Sequence, residues 1–91
     1  MKKIRRFIVL GRVQGVGFRY ATARKAKQLG LAGWVKNLPN GAVETVAQGE
    51  AEMIDEFESW LWIGPDYSSV SSVNLRTPPN DSFDSFEILR Y

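Results

Sequence analysis

The sequence predicts an α+β fold in which two helices cover one face of an antiparallel sheet. Three observations predict it. Short apolar stretches, alternating or consecutive, are bounded by Gly, Pro and Asn, as strands are. Two longer stretches repeat instead at steps of three and four, the period of a helix face. And 91 residues at 44% hydrophobic content suffice for one core, so residues 1–91 read as a single domain.

Arg6 to Val13 is the first strand. Phe7, Ile8, Val9 and Leu10 are consecutive, so both faces are apolar and the strand is central. Gly11, Gly15 and Gly17 punctuate the loop that follows. From Phe18 the period changes: Phe18, Thr22, Ala26 and Leu29 form one stripe of a helix, with Arg24, Lys25, Lys27 and Gln28 mostly off it. Gly30 is placed to end that helix in a left-handed conformation, with Leu31 folding back on the last turn. Leu31 to Asn37 is the second strand. Leu38-Pro39-Asn40-Gly41 is a turn, because Pro presets φ at its second position and Gly closes it. Ala42 to Gln48 returns as the third strand. Glu50 to Ile63 is the second helix, burying Ile54, Phe57 and Leu61 with Met53 and Trp60 beside them; Glu50 and Glu52 suit its positive end, and Gly64-Pro65 stops it. After a polar loop, Val70 to Thr77 is a strand with Val73 and Leu75 on one face. Phe83 to Leu89, carrying Phe86 and Ile88, adds a short extra C-terminal strand. The order β-α-β-β-α-β is that of a ferredoxin-like sandwich.

Composition excludes several kinds of chemistry. There is no Cys and no His, hence no disulfide framework, no thiolate nucleophile and no Cys or His metal site. Glu52, Asp55, Glu56 and Glu58 read as a solvated helix face, so no metal and no cofactor is expected. Net charge is only +2, with Lys2, Lys3, Arg5, Arg6, Arg12, Arg19, Arg24, Lys25 and Lys27 gathered in the first third. That excess is too weak to call for nucleic acid. The apolar stretch Phe7 to Leu10 is far shorter than the core of a signal peptide, and nothing approaches the ~20 apolar residues of a membrane span. A cytoplasmic monomer is the expectation.

The chemistry gathers between the first strand and the first helix. Gly11-Arg12-Val13-Gln14-Gly15-Val16-Gly17-Phe18-Arg19 ends at a helix N-terminus, where N–H groups are unpaired and the dipole is positive. Glycines let backbone amides converge on an anion, but by themselves they specify no more than a tight turn. Arg19 changes the balance. A cation in the first turn opposes the dipole by ~0.3–1 kcal/mol. A bound phosphate would reverse that sign, and the planar guanidinium meets two phosphate oxygens at once. Asn37 is the second candidate, a carboxamide that both donates and accepts; on the residues alone it reads first as a local turn-former and only second as a ligand. Lys36 and Arg12 read as solvated charges, and Trp34, Phe57, Trp60 and Phe86 as core or rim aromatics.

Two motifs are recognisable. Gly11 to Tyr20 fits a pattern of G-x-V-Q-G-V-x-F-R type. Gly33-Trp34-Val35-Lys36-Asn37, with Gly41-Ala42-Val43-Glu44 downstream, fits G-[FWY]-V-[KR]-N followed by G-x-V-E. Together they closely resemble the signatures of the acylphosphatases, and the resemblance extends to length and element order. It implies a ferredoxin-like enzyme that hydrolyses carboxyl-phosphate anhydrides to a carboxylate and inorganic phosphate. It further implies that Arg19 is the phosphate-binding catalytic arginine and Asn37 the asparagine that positions the attacking water. Gln14, Gly15, Val16, Gly17 and Phe18 would form the cradle. The implied ligands are a small acyl phosphate and, in competition, inorganic phosphate or sulfate. Leu38 and Ala42 stand where some relatives carry hydroxyl residues, so auxiliary water-positioning by hydroxyls is absent. The ending Phe86 to Tyr91 has one residue more than the usual F-x-I-x-Y, which changes the face that Tyr91 occupies.

Elimination on the residues alone favours the same substrate class. Phosphoryl transfer has a loose transition state that positioning and electrostatics can stabilise. A carboxylate, whose conjugate acid has a pKa of ~4, leaves without a proton; an alcohol would want a general acid, and no His or Cys is present to serve. Three rival readings differ from this one. An RNA-recognition domain shares the element order but needs aromatics on the middle strands, where Val43-Glu44-Thr45-Val46-Ala47 has none. A module of a larger maturation enzyme that handles carbamoyl phosphate would be expected to continue into Cys-rich zinc fingers. A non-catalytic anion-binding domain would keep the fold without turnover.

Overall fold

The computed structural model describes residues 2–90. Its elements are β1 (Lys2–Arg12), α1 (Phe18–Gln28), β2 (Ala32–Asn37), β3 (Val43–Glu50), α2 (Ala51–Ile63), β4 (Ser69–Arg76) and β5 (Phe86–Leu89). They form one five-stranded sheet in the order β4-β1-β3-β2-β5. β3 lies between β1 and β2 and runs antiparallel to both, so β1 and β2 point the same way. β4 pairs antiparallel to β1. The fold is the ferredoxin-like α+β sandwich.

The sheet departs from a wholly antiparallel one at β5, which pairs with β2 in parallel. Chain direction dictates this. β4 runs down one edge, so the chain turns at the bottom and must rise again, in the sense of β2. Residues 77–85 make the crossing beneath the sheet, a span of about 19 Å at ~4.8 Å per strand, well within reach of nine residues. Arg6 Nη1 donates to Thr77 O at 3.2 Å, and Gln48 grips Phe83 through Oε1 (2.9 Å from Phe83 N) and Nε2 (3.4 Å from Phe83 O). Phe83, expected in the last strand, is thus part of the crossing, and the strand is only four residues long. Tyr91, whose face the longer ending was expected to alter, lies outside the described residues.

The helix stripes fall where periodicity puts them. α1 buries Phe18, Thr22, Ala23 and Ala26; α2 buries Ile54, Phe57 and Leu61. α1 ends in the expected left-handed glycine: Gly30 has φ +71°, Gly30 N donates to Lys27 O and Leu31 N to Ala26 O, which together satisfy the last carbonyls. Phe57 sits at the centre of the core, edge-on to Phe7 (centroids 6.3 Å apart) and to Phe86 (6.1 Å). Val73 packs against this core, but Leu75 on the same face is 60% exposed, because the helix layer stops short of that end of the edge strand.

The other sheet face carries no helix. Its centre is Glu44, nearly buried, with Arg6 Nε at 2.6 Å and Lys36 Nζ at 3.7 Å. Lys36 also lies over the Trp34 ring, 5.2 Å from the centroid. Lys36 is therefore held in a network rather than freely solvated. The two central strands, β1 and β3, present no aromatic on this face.

Candidate active site

Topology brings the two candidate segments together. Because β1 and β2 are parallel, the loop after β1 (residues 13–17) and Asn37, the last residue of β2, lie at the same end of the sheet. β5, parallel to β2, delivers Ile88 and Leu89 to that end as well. A cleft of about 320 Å³ opens there, and its walls include Gly15, Gly17, Arg19, Asn37, Ile88 and Arg90. Among the described residues its charged lining is two guanidiniums and no carboxylate.

The loop is built around two left-handed glycines. Gly15 has φ +75° and Gly17 φ +76°, and a Cβ at either would meet nothing, so backbone conformation rather than space selects glycine. Gly17 is the N-cap of α1 and, lacking a side chain, gives its first amides no side-chain cap. The first turn holds no acidic residue. It carries Arg19 instead, half-buried, with Nη1 donating to Leu89 O at 3.3 Å. That carbonyl draws the guanidinium toward the β5 side of the cleft. Phe18 is 1% exposed and packs on Trp60 at 5.9 Å between centroids, which anchors the start of α1 in the core.

Of the five residues expected to form the cradle, three line the cleft and two turn their side chains elsewhere. Gly15, Gly17 and Phe18 line the cleft. Val16 turns its side chain to the core. Gln14 reaches across the end of the sheet, its Nε2 donating to Leu38 O and Ala42 O, both at 2.8 Å. Leu38 and Ala42, which lack the hydroxyls of some relatives, thus meet the loop through their backbone carbonyls.

Asn37 is not the turn-former of its neighbourhood. That role belongs to Asn40, whose Oδ1 accepts from Ala42 N at 3.0 Å. The Asn37 Oδ1 is buried and makes no hydrogen bond among the described residues. A buried carboxamide oxygen without a partner is costly, at roughly 1–3 kcal/mol. Asn37 is also one of the residues that line the cleft. Val13, Tyr20, Ile88 and Arg90 complete the cleft, and sequence reasoning missed them as lining residues. No local signal marks Ile88 or Arg90, because they reach the cleft only through the parallel docking of β5. Among the described residues no group of His, Cys, Asp or Glu is placed to hold a metal ion, and no helix is long and apolar enough to cross a membrane.

Comparison with known proteins gives the family. The acylphosphatase family model matches residues 5–88. The chain is 49% identical to an acylphosphatase of Vibrio parahaemolyticus over 87 residues, covering 96% of this chain and 97% of that one. It is 47% identical to an acylphosphatase of Acaryochloris marina over 83 residues, covering 91% and 89%. The solved structure of an acylphosphatase from Coxiella burnetii superposes with a TM-score of 0.92 at 41% identity, covering 97% of this chain and 93% of that one. The chain belongs to the acylphosphatase family, whose enzymes hydrolyse acyl phosphates.

Proposed function

We propose that residues 1–91 form a single-domain, metal-independent acylphosphatase in which a water held by Asn37 attacks the phosphorus of a substrate cradled by residues 14–18 and Arg19. The observation that carries this reading is that Asn37, whose Oδ1 has no hydrogen-bond partner among the described residues, lines one cleft with Arg19, Gly15 and Gly17. The backbone N–H groups of the loop and the first turn of α1 neutralise the phosphoryl oxygens. The Arg19 guanidinium adds charge-assisted hydrogen bonds that strengthen as the transition state spreads charge over those oxygens. Asn37 Oδ1 accepts a hydrogen bond from water and turns a lone pair toward phosphorus. As the P–O bond to the acyl group breaks, the carboxylate leaves with its electron pair and needs no acid. The proton of the attacking water ends on the product phosphate, so Asn37 orients and never acts as a base. Inorganic phosphate or sulfate competes for the same cradle, and the enzyme works as a cytoplasmic monomer without nucleic acid or membrane partners.

The test is hydrolysis of acetyl or benzoyl phosphate in ¹⁸O-water with excess chelator. The expected result is turnover undiminished by chelator, with label in phosphate and none in the carboxylate. Label in the carboxylate would mean attack at carbon and would refute the placement of the water. Protein without activity above buffer would remove the reading altogether.

A further inference from the structure

Gln14 belongs to the anion loop by sequence but not by side-chain direction. The strand ladder explains what the loop lacks. β1 and β3 pair only as far as Val9 with Val43; beyond that point Leu10, Gly11 and Arg12 of β1 pair with β4 alone, after a register shift at Leu10/Gly11. The loop therefore leaves the sheet on the β4 side. Asn37 ends β2 on the far side of β3, two strand spacings or about 10 Å from β1. Asn37 pairs with Val43 and Val43 with Val9, and beyond that row no strand pairing ties the β2–β3 turn to the loop.

Gln14 does tie them. Both protons of its amide are used, one on Leu38 O and one on Ala42 O, at 2.8 Å each. Those carbonyls flank the β2–β3 turn, and Leu38 directly follows Asn37. The turn does not need Gln14 to close. Leu38 N already donates to Ala42 O at 2.8 Å, Gly41 N to Leu38 O at 3.2 Å, and Asn40 Oδ1 holds Ala42 N. Gln14 occupies the second lone pair of each carbonyl, so its bonds tie a finished turn to the loop. Only a side chain of this length with two N–H groups on one atom can do this. Glu would set a carboxylate against two carbonyl oxygens, and Asn falls one methylene short.

We propose that Gln14 is a positioning residue that holds Asn37 in register with the phosphate cradle by clamping the β2–β3 turn to the β1–α1 loop. This rests on the reading of Asn37 as the water-holding group. In-line attack needs the water near ~3–3.5 Å from phosphorus, and a displacement of ~1 Å can cost about a hundredfold in rate. Losing the clamp should therefore lower kcat and leave the affinity of the cradle itself.

The experiment compares the parent, Gln14→Met, Asn37→Ala and the double variant, with benzoyl phosphate as substrate and inorganic phosphate as inhibitor. Gln14→Met keeps the volume and removes both donors. Its expected kcat is ~10–100-fold below the parent, with phosphate inhibition constants changed by less than about threefold because Arg19 and the amides are intact. In the Asn37→Ala background the same substitution should change kcat by less than about twofold, the non-additivity of residues acting through one group. A parental kcat in Gln14→Met, or losses that multiply in the double variant, would overturn the proposal. A parental kcat in Asn37→Ala would instead overturn the water-holding reading, whatever Gln14 does. Should Gln14→Met not fold, side-chain NMR of the unmodified protein decides. Two distinct, exchange-protected Gln14 amide protons support the clamp, and a freely exchanging pair refutes it.

Discussion

Replacing Arg19 by Ala removes the cation from the first turn of α1 while disturbing little else. Among the described residues its one hydrogen bond inside the protein is the 3.3 Å contact of Nη1 with Leu89 O, and Leu89 ends an edge strand. Losing a bond of that kind costs ~0.5–1.5 kcal/mol, and removing a cation that opposes the helix dipole returns ~0.3–1 kcal/mol. The two nearly offset, so the variant should melt within a few degrees of the parent. Catalysis is another matter. Two charge-assisted hydrogen bonds from a guanidinium to phosphoryl oxygens are each worth ~1.5–3 kcal/mol, together ~3–6 kcal/mol. At ~1.4 kcal/mol per decade, kcat/KM should fall by about 10²–10⁴-fold. Arg19→Lys keeps the charge without the planar fork and should fall between the two. The assay is ultraviolet-monitored hydrolysis of benzoyl phosphate, paired with thermal melts in the presence and absence of inorganic phosphate. Phosphate should raise the Tm of the parent, by linkage, and leave Arg19→Ala nearly unmoved. Arg19→Ala protein with kcat/KM within tenfold of the parent, or still stabilised by phosphate, would refute the assignment.

Three further outcomes follow from the same geometry. Gly33→Ala, at φ +138° in β2, would drive a Cβ into the Val46 carbonyl of β3; a loss of at least ~2 kcal/mol should lower Tm by about 10 °C, and a thermal scan within a few degrees of the parent would contradict it. Phe57→Ala removes the ring that meets both Phe7 and Phe86, for which denaturant titration should show a loss of ~3–5 kcal/mol. Among the described residues the cleft is lined by no carboxylate, and the chain has no His or Cys, so the pH–rate profile should lack the bell shape of paired acid–base catalysis; a bell-shaped profile would contradict this.

Much of the local structure was legible. The stripes Phe18–Thr22–Ala26 and Ile54–Phe57–Leu61 are buried as their spacing requires, since a helix face depends only on residues within two turns. Gly30 and the Pro39–Gly41 turn likewise act through bonds within a few residues. Arg19 stood out for the same reason, a cation at an unfavourable helix end. The pair Asn37 and Asn40 marks where local reasoning stops. Both flank one turn, and propensity treats them alike. Only the hydrogen bonds separate them: Asn40 spends its carboxamide on the turn, and Asn37 does not.

Sequence by itself therefore determined the element order, the faces that pack and the glycine loop ahead of Arg19, because periodicity, turn chemistry and φ preferences are properties of neighbours. Tertiary structure alone decided that β5 joins β2 in parallel, that Ile88 and Arg90 wall the cleft, and that Arg19 leans on a carbonyl 70 residues away. It also decided that Gln14 reaches Leu38 and Ala42, 24 and 28 residues on, rather than the anion loop. These contacts depend on which strand edges meet and which strand ends coincide. That is settled by the direction and order of whole strands, which no window of neighbouring residues encodes.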